Sequence, residues 1–510
     1  VSHNFTLVGL LLIPLVGSLV VFGLKKKPTL AKWVALAVSL AVVVYVVVIG
    51  IAFDTGKGAD RFQFEGDWIW IKAFGVHFSF GVDGIALVLI AMSVVLVPCV
   101  LLASWNSFDD PEGGRSIANF FGLILLLEVF MIGVFAATDV FLFYVFFEAI
   151  LVPMYFIIGS FGGPKRQYAA VKFFLYSLVG GLLMLASVIG LYVTTGSHTF
   201  HMAELIGKVP DNATQKWLFL GFFLAFAIKA PLVPFHTWLP DAGAEAPPGG
   251  AALLVGVLDK IGTFGFLRYC LPLFPAASKW AAPTILVLSV IGVLYAAFLA
   301  IGQRDMKRLV AYTSIAHFGF IGLGIFAFTS QGGSGAVFYM VNHGLSTGAV
   351  FLAVGLLIAR GKSRNIDDYG GAAKTTPILS GLFLLAGLSA LALPGMSTFI
   401  SEFLVLVGTF TRYKALAIVA TTGIILAAIY VLYLYQRTFQ GTVSEKVKGF
   451  KDVNAREVLS IAPLIALIIF LGIYPKPILD VINPAVKATL SDVHETDPEP
   501  IVGTTAGGHK

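Results

Sequence analysis

Residues 223–241, FLAFAIKAPLVPFHTWLPD, place Lys229 in an apolar run and follow it with Pro231, Pro234 and Pro240. Proline has no N–H, so Pro231 leaves the carbonyl of Ala227 without its helical donor, and Pro234 leaves that of Ala230. Two freed carbonyls are therefore expected to bracket Lys229. In hydrocarbon each would cost several kcal/mol, so this break belongs inside protein or along a watery cavity. A hydrated pocket is where a lysine can exchange its proton. Five more ionisable groups sit in apolar surroundings: Glu148 in FYVFFEAILVPMYF, Lys260 in LLVGVLDKIGTFG, His317 in TSIAHFGFIG, His343 in YMVNHGLSTGAV and Glu402 in STFISEFLVLVG. Along the chain the order is Glu, Lys, Lys, His, His, Glu. All are groups that take and release protons once burial tunes their affinity.

Each has a plainer reading. Lys229 at an interface would snorkel, a lone buried histidine is often a hydrogen-bonded structural residue, and Glu148 or Glu402 alone would lock a helix pair. Glu128 in ILLLEVFMIG is also flanked by apolar residues, with nothing to put it on a path. Asp139 follows Thr138 and reads as an N-cap. Asp259 precedes Lys260; neighbours on a helix point about 100° apart, yet an acid there still favours a charged Lys260. Collectively the groups argue for use, because one ionisable side chain at mid-membrane costs at least about 2.5 kcal/mol.

The elements that must position these groups are membrane helices. Of 510 residues 58% are hydrophobic and 12% charged, and apolar runs of about 20 residues recur. Hydropathy gives about fourteen helices, near 5–24, 31–53, 82–104, 117–136, 139–160, 168–195, 216–240, 246–272, 281–302, 306–329, 332–359, 376–411, 415–438 and 457–474. The first run ends in Lys25-Lys26-Lys27-Pro28 rather than a small-residue cleavage site, which argues against a removable signal peptide. The chain begins with Val1 rather than Met. The loops LKKKP, GGPKRQ, GQRDMKR, ARGKSRNIDDYGGAAK and QRTFQGTVSEKVKGFKDVNARE follow odd-numbered helices and carry most of the loop cations. They are expected to face the cytoplasm, with both termini on the opposite side. Residues 54–81 alternate aromatic and polar positions around glycines, an external β-hairpin. The tail after Pro475 is polar and is expected to be loosely ordered.

Two spans are interrupted in the same style, by Lys229-Ala230-Pro231 with Pro234 and by Leu393-Pro394-Gly395. They stand five helices apart, an odd shift that reverses orientation. That is the mark of an inverted repeat with its ion path at the breaks. The expected architecture is all-α and polytopic, with two inverted five-helix repeats. Residues 1–116 form a three-helix segment with the hairpin, 117–272 a first half-channel, 273–440 a second, and 441–510 the last helix and tail.

Several function classes fall away. Cys99 and Cys270 are the two cysteines, and neither lies in a C-x-x-C pair. Cysteine-ligated iron–sulfur clusters are thereby excluded. No G-x-G-x-x-G follows a strand and no G-x-x-x-x-G-K-[ST] occurs, so dinucleotide binding and ATP hydrolysis are not expected. A net charge of +6 reflects loop orientation rather than a nucleic-acid partner, and no metal ligands stand out.

AIKAPLVPFHTWLPDAGAEAP resembles the signature of the antiporter-like subunits of respiratory complex I and of Mrp-type sodium/proton antiporters. FLFYVFFEAILVPMYFIIG resembles the fifth helix of the M-type members of NADH:quinone oxidoreductase. TFISEFLVLVG resembles their twelfth, where L and N relatives typically carry lysine. The likeness extends from the hairpin to the fourteenth helix, and the lack of a long lateral helix afterwards also fits the M type. The resemblance implies that Glu148 and Lys229 are the acid and base of the first half-channel. Lys260 would be the central lysine, Glu402 the terminal acid of the second half, and His317 and His343 the link between halves. It implies no cofactor in this chain. Flavin, iron–sulfur clusters and quinone are expected in partner subunits, with L- and N-type subunits as neighbours in a bacterial inner membrane. Gly243 departs from the pattern, since many relatives have histidine there. Paired at about 4 Å in an effective dielectric near 20, Glu148 and Lys229 would attract by roughly 4 kcal/mol. Three rivals stand beside this reading: a subunit of a cation/proton antiporter with no redox partner, which shares the lysine motif; a proton-inert scaffold; and a secondary solute carrier, the weakest because no polar cavity suited to an organic substrate is evident.

Overall fold

The computed structural model describes residues 4–56, 58–108 and 115–499. Val1 and residues 500–510 of the tail lie outside them. Helices α1 (Thr6–Gly23) and α2 (Pro28–Ala52) lead to strands β1 (Gln63–Ile71) and β2 (Val76–Val82), then to α3 (Gly84–Ala103) and α4 (Ile117–Ala136). Helices α5 (Val140–Ala149) and α6 (Leu151–Phe161) make one span jointed at Ile150, followed by α7 (Arg166–Thr195) and the short α8 (Met202–Leu205). The first broken span is α9 (Asn212–Lys229) with α10 (Trp238–Glu245). Helices α11 (Pro248–Leu253), α12 (Asp259–Gly265) and α13 (Leu271–Leu273) belong to one span, joined by π turns at Leu254–Leu258 and Phe266–Cys270. Next come α14 (Pro275–Ile301), α15 (Met306–Phe326) and α16 (Ser330–Gly361). The second broken span is α17 (Pro377–Ala390) with α18 (Ser397–Arg412), and α19 (Lys414–Phe439), α20 (Ala455–Ile473) and α21 (Lys476–Asp492) complete the chain.

Among the described residues 12 helical segments are long and apolar enough to cross a bilayer. Adding the two broken spans gives the expected fourteen. Local chemistry sets the starts: Asp83, Ser116, Asp139, Asp305 and Thr329 each accept a backbone N–H of the first turn, as N-caps do. Asp211 caps α9 by accepting from the side chain and the backbone of Thr214, bonds that hold its carboxyl below the usual range.

Burial sorts the helices by chemistry. In the most apolar 18-residue stretch of each span, every residue of Pro248–Leu273 and 94% of those in α15 and α16 are buried, against only 33% in α2 and α19. The first group carries Lys260, His317 and His343; the second shows Val44, Ile51, Ile418 and Ile425 to the surroundings. Without water, ionisable groups are tolerated only where protein encloses them, so the least apolar spans occupy the centre. The hairpin is antiparallel, with Trp68 opposite Phe78, and docks on the start of α5 through Thr138 N–H to Ser79 O at 3.0 Å.

The tail departs from expectation. Lys476–Asp492 form α21, which buries Ile482, Ala485, Val486, Thr489 and Leu490 against α3 and α16. Arg61 meets Asp492 at 2.6 Å, and Glu495 meets Lys279 at 3.1 Å and Arg412 at 3.0 Å. Its apolar residues recur at helical spacing on one face; Pro477, Pro484 and a polar composition mask that stripe in the sequence.

Candidate functional site

Lys229 is the last residue of α9. The carbonyl that Pro231 frees on Ala227 does not stay open: it accepts the N–H of Leu232 at 3.0 Å. The indole N–H of Trp238 returns from α10 to the carbonyl of Ile228 at 2.8 Å. The expectation of two open carbonyls around the lysine is thus corrected at Ala227, because a wider turn re-pairs that group. What stays unpaired is the side chain. Lys229 is 1% exposed, its Nζ has no hydrogen-bond partner among the described residues, and it lies 4.5 Å over the Phe147 ring.

Glu148 sits at the end of α5, and the expected contact pair with Lys229 is not formed. Its Oε1 is buried, has no partner among the described residues and lies against α7, where a Cβ on Gly181 would come within 1.5 Å of it. Gly181 therefore makes the berth for this carboxylate. The two groups remain electrostatic neighbours, and Asp259 is the second acid acting on Lys229. Phe147, adjacent to Glu148, offers the ammonium a π face instead of a carboxylate.

Lys260 lies just past the first π turn. Such a turn replaces i→i−4 pairing locally, and the carbonyl of Val255 accepts Lys260 Nζ at 2.6 Å. The same Nζ meets His343 Nδ1 of α16 at 2.5 Å and lies 5.2 Å over Phe318. His343 and His317 stand edge to face with ring centroids 5.2 Å apart. His343 Nε2 and His317 Nδ1 have no partner among the described residues. The sequence-nominated lysine and histidines are thus one contiguous group.

Beyond His317, two tyrosines that sequence reading missed carry the chain of polar groups onward. Tyr430 of α19 has its hydroxyl 3.5 Å from His317 Nε2. Tyr339 packs on the His317 ring at 5.8 Å and donates its hydroxyl to Glu402 Oε2 at 2.9 Å. The signal for Tyr339 was present, since it precedes His343 by four residues and so shares its helix face. Asn342 ties the same helix to the start of α18, donating to Ser397 O at 2.8 Å and to Ser401 Oγ at 3.2 Å.

Of the remaining residues, Asp139 is the cap expected, accepting from Leu142 and also from His77 N–H, both at 2.9 Å. Glu128 is fully buried with neither oxygen partnered among the described residues. At Gly243 an added Cβ would stand 3.3 Å from Ala311 Cβ, so α10 and α15 leave little room there for an imidazole. Asp241, beside it, joins Lys172 at 2.7 Å and Arg308 at 2.6 Å.

Residues 137–428 match the family described as NADH:quinone oxidoreductase/Mrp antiporter, TM. NADH-quinone oxidoreductase subunit M of Mycobacterium tuberculosis is 48% identical over 526 residues, covering 96% of this chain and 95% of that protein. Its counterpart in Rickettsia prowazekii is 42% identical, covering 91% and 94%. Among solved structures, a chain of respiratory complex I from Thermus thermophilus with bound NADH superposes with a TM-score of 0.87 at 31% identity. That match covers 96% of this chain and 99% of the other. A chain of the Mrp complex from Dietzia sp. DQ12-45-1b shares the fold, with a TM-score of 0.80 at 20% identity over 95% of this chain and 99% of that one.

Proposed function

Since the chain belongs to the NADH:quinone oxidoreductase/Mrp antiporter family, among the M-type subunits, we propose that buried side chains carry its protons across the membrane. The relay runs Glu148, Lys229, Lys260, His343, His317 and Glu402, with Tyr339 and Tyr430 beside the last two. The observation that carries this reading is the continuous contact from Lys260 through both imidazoles to the tyrosine-held Glu402. Proton transfer needs donors and acceptors within reach of one another or of one water.

Energy enters as charge. Glu148 in contact with Lys229 would stabilise the ammonium by about 4 kcal/mol at 4 Å and an effective dielectric near 20. Moving the carboxylate between that position and its berth on Gly181 switches this support on and off. Withdrawal sends the proton of Lys229 towards Lys260, and the imidazoles hand charge on to Glu402 for release. Hydride and quinone chemistry belong to partner subunits, which hold the flavin, the iron–sulfur clusters and the quinone; this chain is the non-redox translocase part. L- and N-type subunits are its neighbours in the bacterial cell membrane, with both termini on the non-cytoplasmic side. The first half-channel spans 117–272 and the second 273–440.

The test uses the whole complex in sealed vesicles, comparing wild type with Lys260→Met. Protons moved per NADH oxidised should collapse in the variant, and an unchanged ratio would refute the relay. Mild-detergent extraction separates the antiporter rival, which predicts co-purification without NADH-oxidising subunits.

A further inference from the structure

Asp259 takes no part in that relay, yet stands in its middle. The residue is 0% exposed, and neither Oδ1 nor Oδ2 has a hydrogen-bond partner among the described residues. A carboxylate enclosed by protein with no protein donor among the described residues is costly to keep charged. A packing or helix-locking role would show it bonded to a neighbour.

Its direction follows from the helix. Adjacent helical residues diverge by about 100°, and Lys260 is committed to His343 and Val255. Asp259 therefore faces elsewhere. Close by is the end of α9: a Cβ on Gly262 of α12 would stand 2.4 Å from Phe226 O and 2.6 Å from Ala230 N. Backbone contact this tight, on both sides of Lys229 in sequence, brings α12 onto the turn that carries it. The charges that act on Asp259 are Lys260 and Lys229, and those that act on Lys229 are Glu148 and Asp259. Lys229 thus has an acid neighbour in both Glu148 and Asp259, and Asp259 has a base neighbour in both Lys229 and Lys260.

We propose that Asp259 is a proton-carrying station between Lys229 and Lys260, an inference that rests on the relay reading above. An N–H bond of the Lys229 ammonium breaks, its electron pair stays on nitrogen, and an O–H bond forms on the Asp259 carboxylate. That O–H bond then breaks and an N–H bond forms on the neutral amine of Lys260. Each transfer moves one proton, directly or over one water, and needs no oxidant or reductant. The lack of a hydrogen-bond donor on Asp259 among the described residues suits this role, because no such bond fixes it as an anion.

The test compares Asp259→Asn, Asp259→Glu and Lys229→Ala in the intact complex in vesicles. It reads protons moved per NADH and the infrared difference spectrum of turnover. Asp259→Asn should slow translocation about tenfold, less than the ~100-fold cost of losing a sole proton carrier, because water can bypass one station. It should also erase a protonated-carboxyl band, and Asp259→Glu should restore both. Wild-type pumping in Asp259→Asn with pumping lost in Lys229→Ala overturns this inference alone. Normal pumping in both variants overturns the relay reading and this inference with it. Equal losses in the Asn and Glu variants with the band unchanged would make Asp259 structural and overturn the proposal. If Asp259→Asn fails to assemble, Asp259→Ser decides: full pumping overturns the proposal and a tenfold loss supports it.

Discussion

The two broken spans close with the same hydrogen bonds and hold opposite chemistry. At the first, Leu232 N–H reaches back five residues to Ala227 O, and Phe235 N–H bonds Leu232 O. At the second, Leu393 N–H reaches back five residues to Leu388 O, and Met396 N–H bonds Leu393 O. Proline lies on one side of the pivot in each, Pro231 before Leu232 and Pro394 after Leu393. A wide turn followed by a tight one is thus a common way of ending a helix in mid-span while re-pairing its backbone. The side chains then diverge. Lys229 ends α9 itself, buried and without a hydrogen-bond partner among the described residues, while Leu393, Pro394 and Gly395 at the second tip are exposed. Glu402 sits further along α18 and is held by Tyr339. The backbone device is shared, and the partner of the ionisable group sets how readily it changes charge.

Variants that touch the groups themselves should break this comparison hardest. Lys229→Ala is expected to abolish translocation, a loss of about 100-fold or more, with helix count and assembly intact. Proton uptake into vesicles at normal NADH turnover would contradict it. Glu402→Gln should cost less, about tenfold, with native-gel migration unchanged; Glu402→Lys, which puts another proton-exchanging group in its place, should recover part of it. If Gln pumps as wild type, the second break carries no relay group and the scaffold reading gains ground.

Gly181→Ala tests the berth of Glu148. Its methyl would occupy the place of Oε1, so translocation should fall to the level of Glu148→Gln, whereas Glu148→Asp should retain part. Equal pumping in Gly181→Ala and wild type would show that the carboxylate does not need that position. Tyr339→Phe should slow translocation about fivefold, since it removes one hydroxyl bond worth about 1 kcal/mol net; a loss as large as that of Glu402→Gln would mean that the tyrosine is itself a carrier. Trp238→Phe should have the smallest effect. It forfeits the bond to Ile228 O and should lower thermal stability by about 1 kcal/mol with protons per NADH unchanged. A changed ratio would show that the first break is tuned by its backbone as well as by Lys229.

The number of spans and both breaks could be read from the chain, because apolar run length and proline obey one-dimensional rules. So could the six ionisable residues, since a charge in a hydrocarbon-like run is conspicuous wherever it falls. Helix α21 was not legible as an ordered element: its stripe of Ile482, Ala485, Val486 and Leu490 gains stability only against α3 and α16. Tyr339 and Tyr430 were hidden for a related reason, as tyrosine is unremarkable in a membrane helix until its hydroxyl is seen to point at an imidazole or a carboxylate.

Sequence by itself determined which groups could carry charge and where the backbone had to rupture, since both follow from residue type and covalent structure. Only the tertiary structure decided who meets whom. Lys260 reaches His343 across two helices, Glu402 answers to Tyr339, and Glu148 rests on Gly181 rather than on Lys229. Those choices depend on helix rotation and on ångström-scale packing, and contacts between residues 33 to 83 positions apart leave no local periodicity to read.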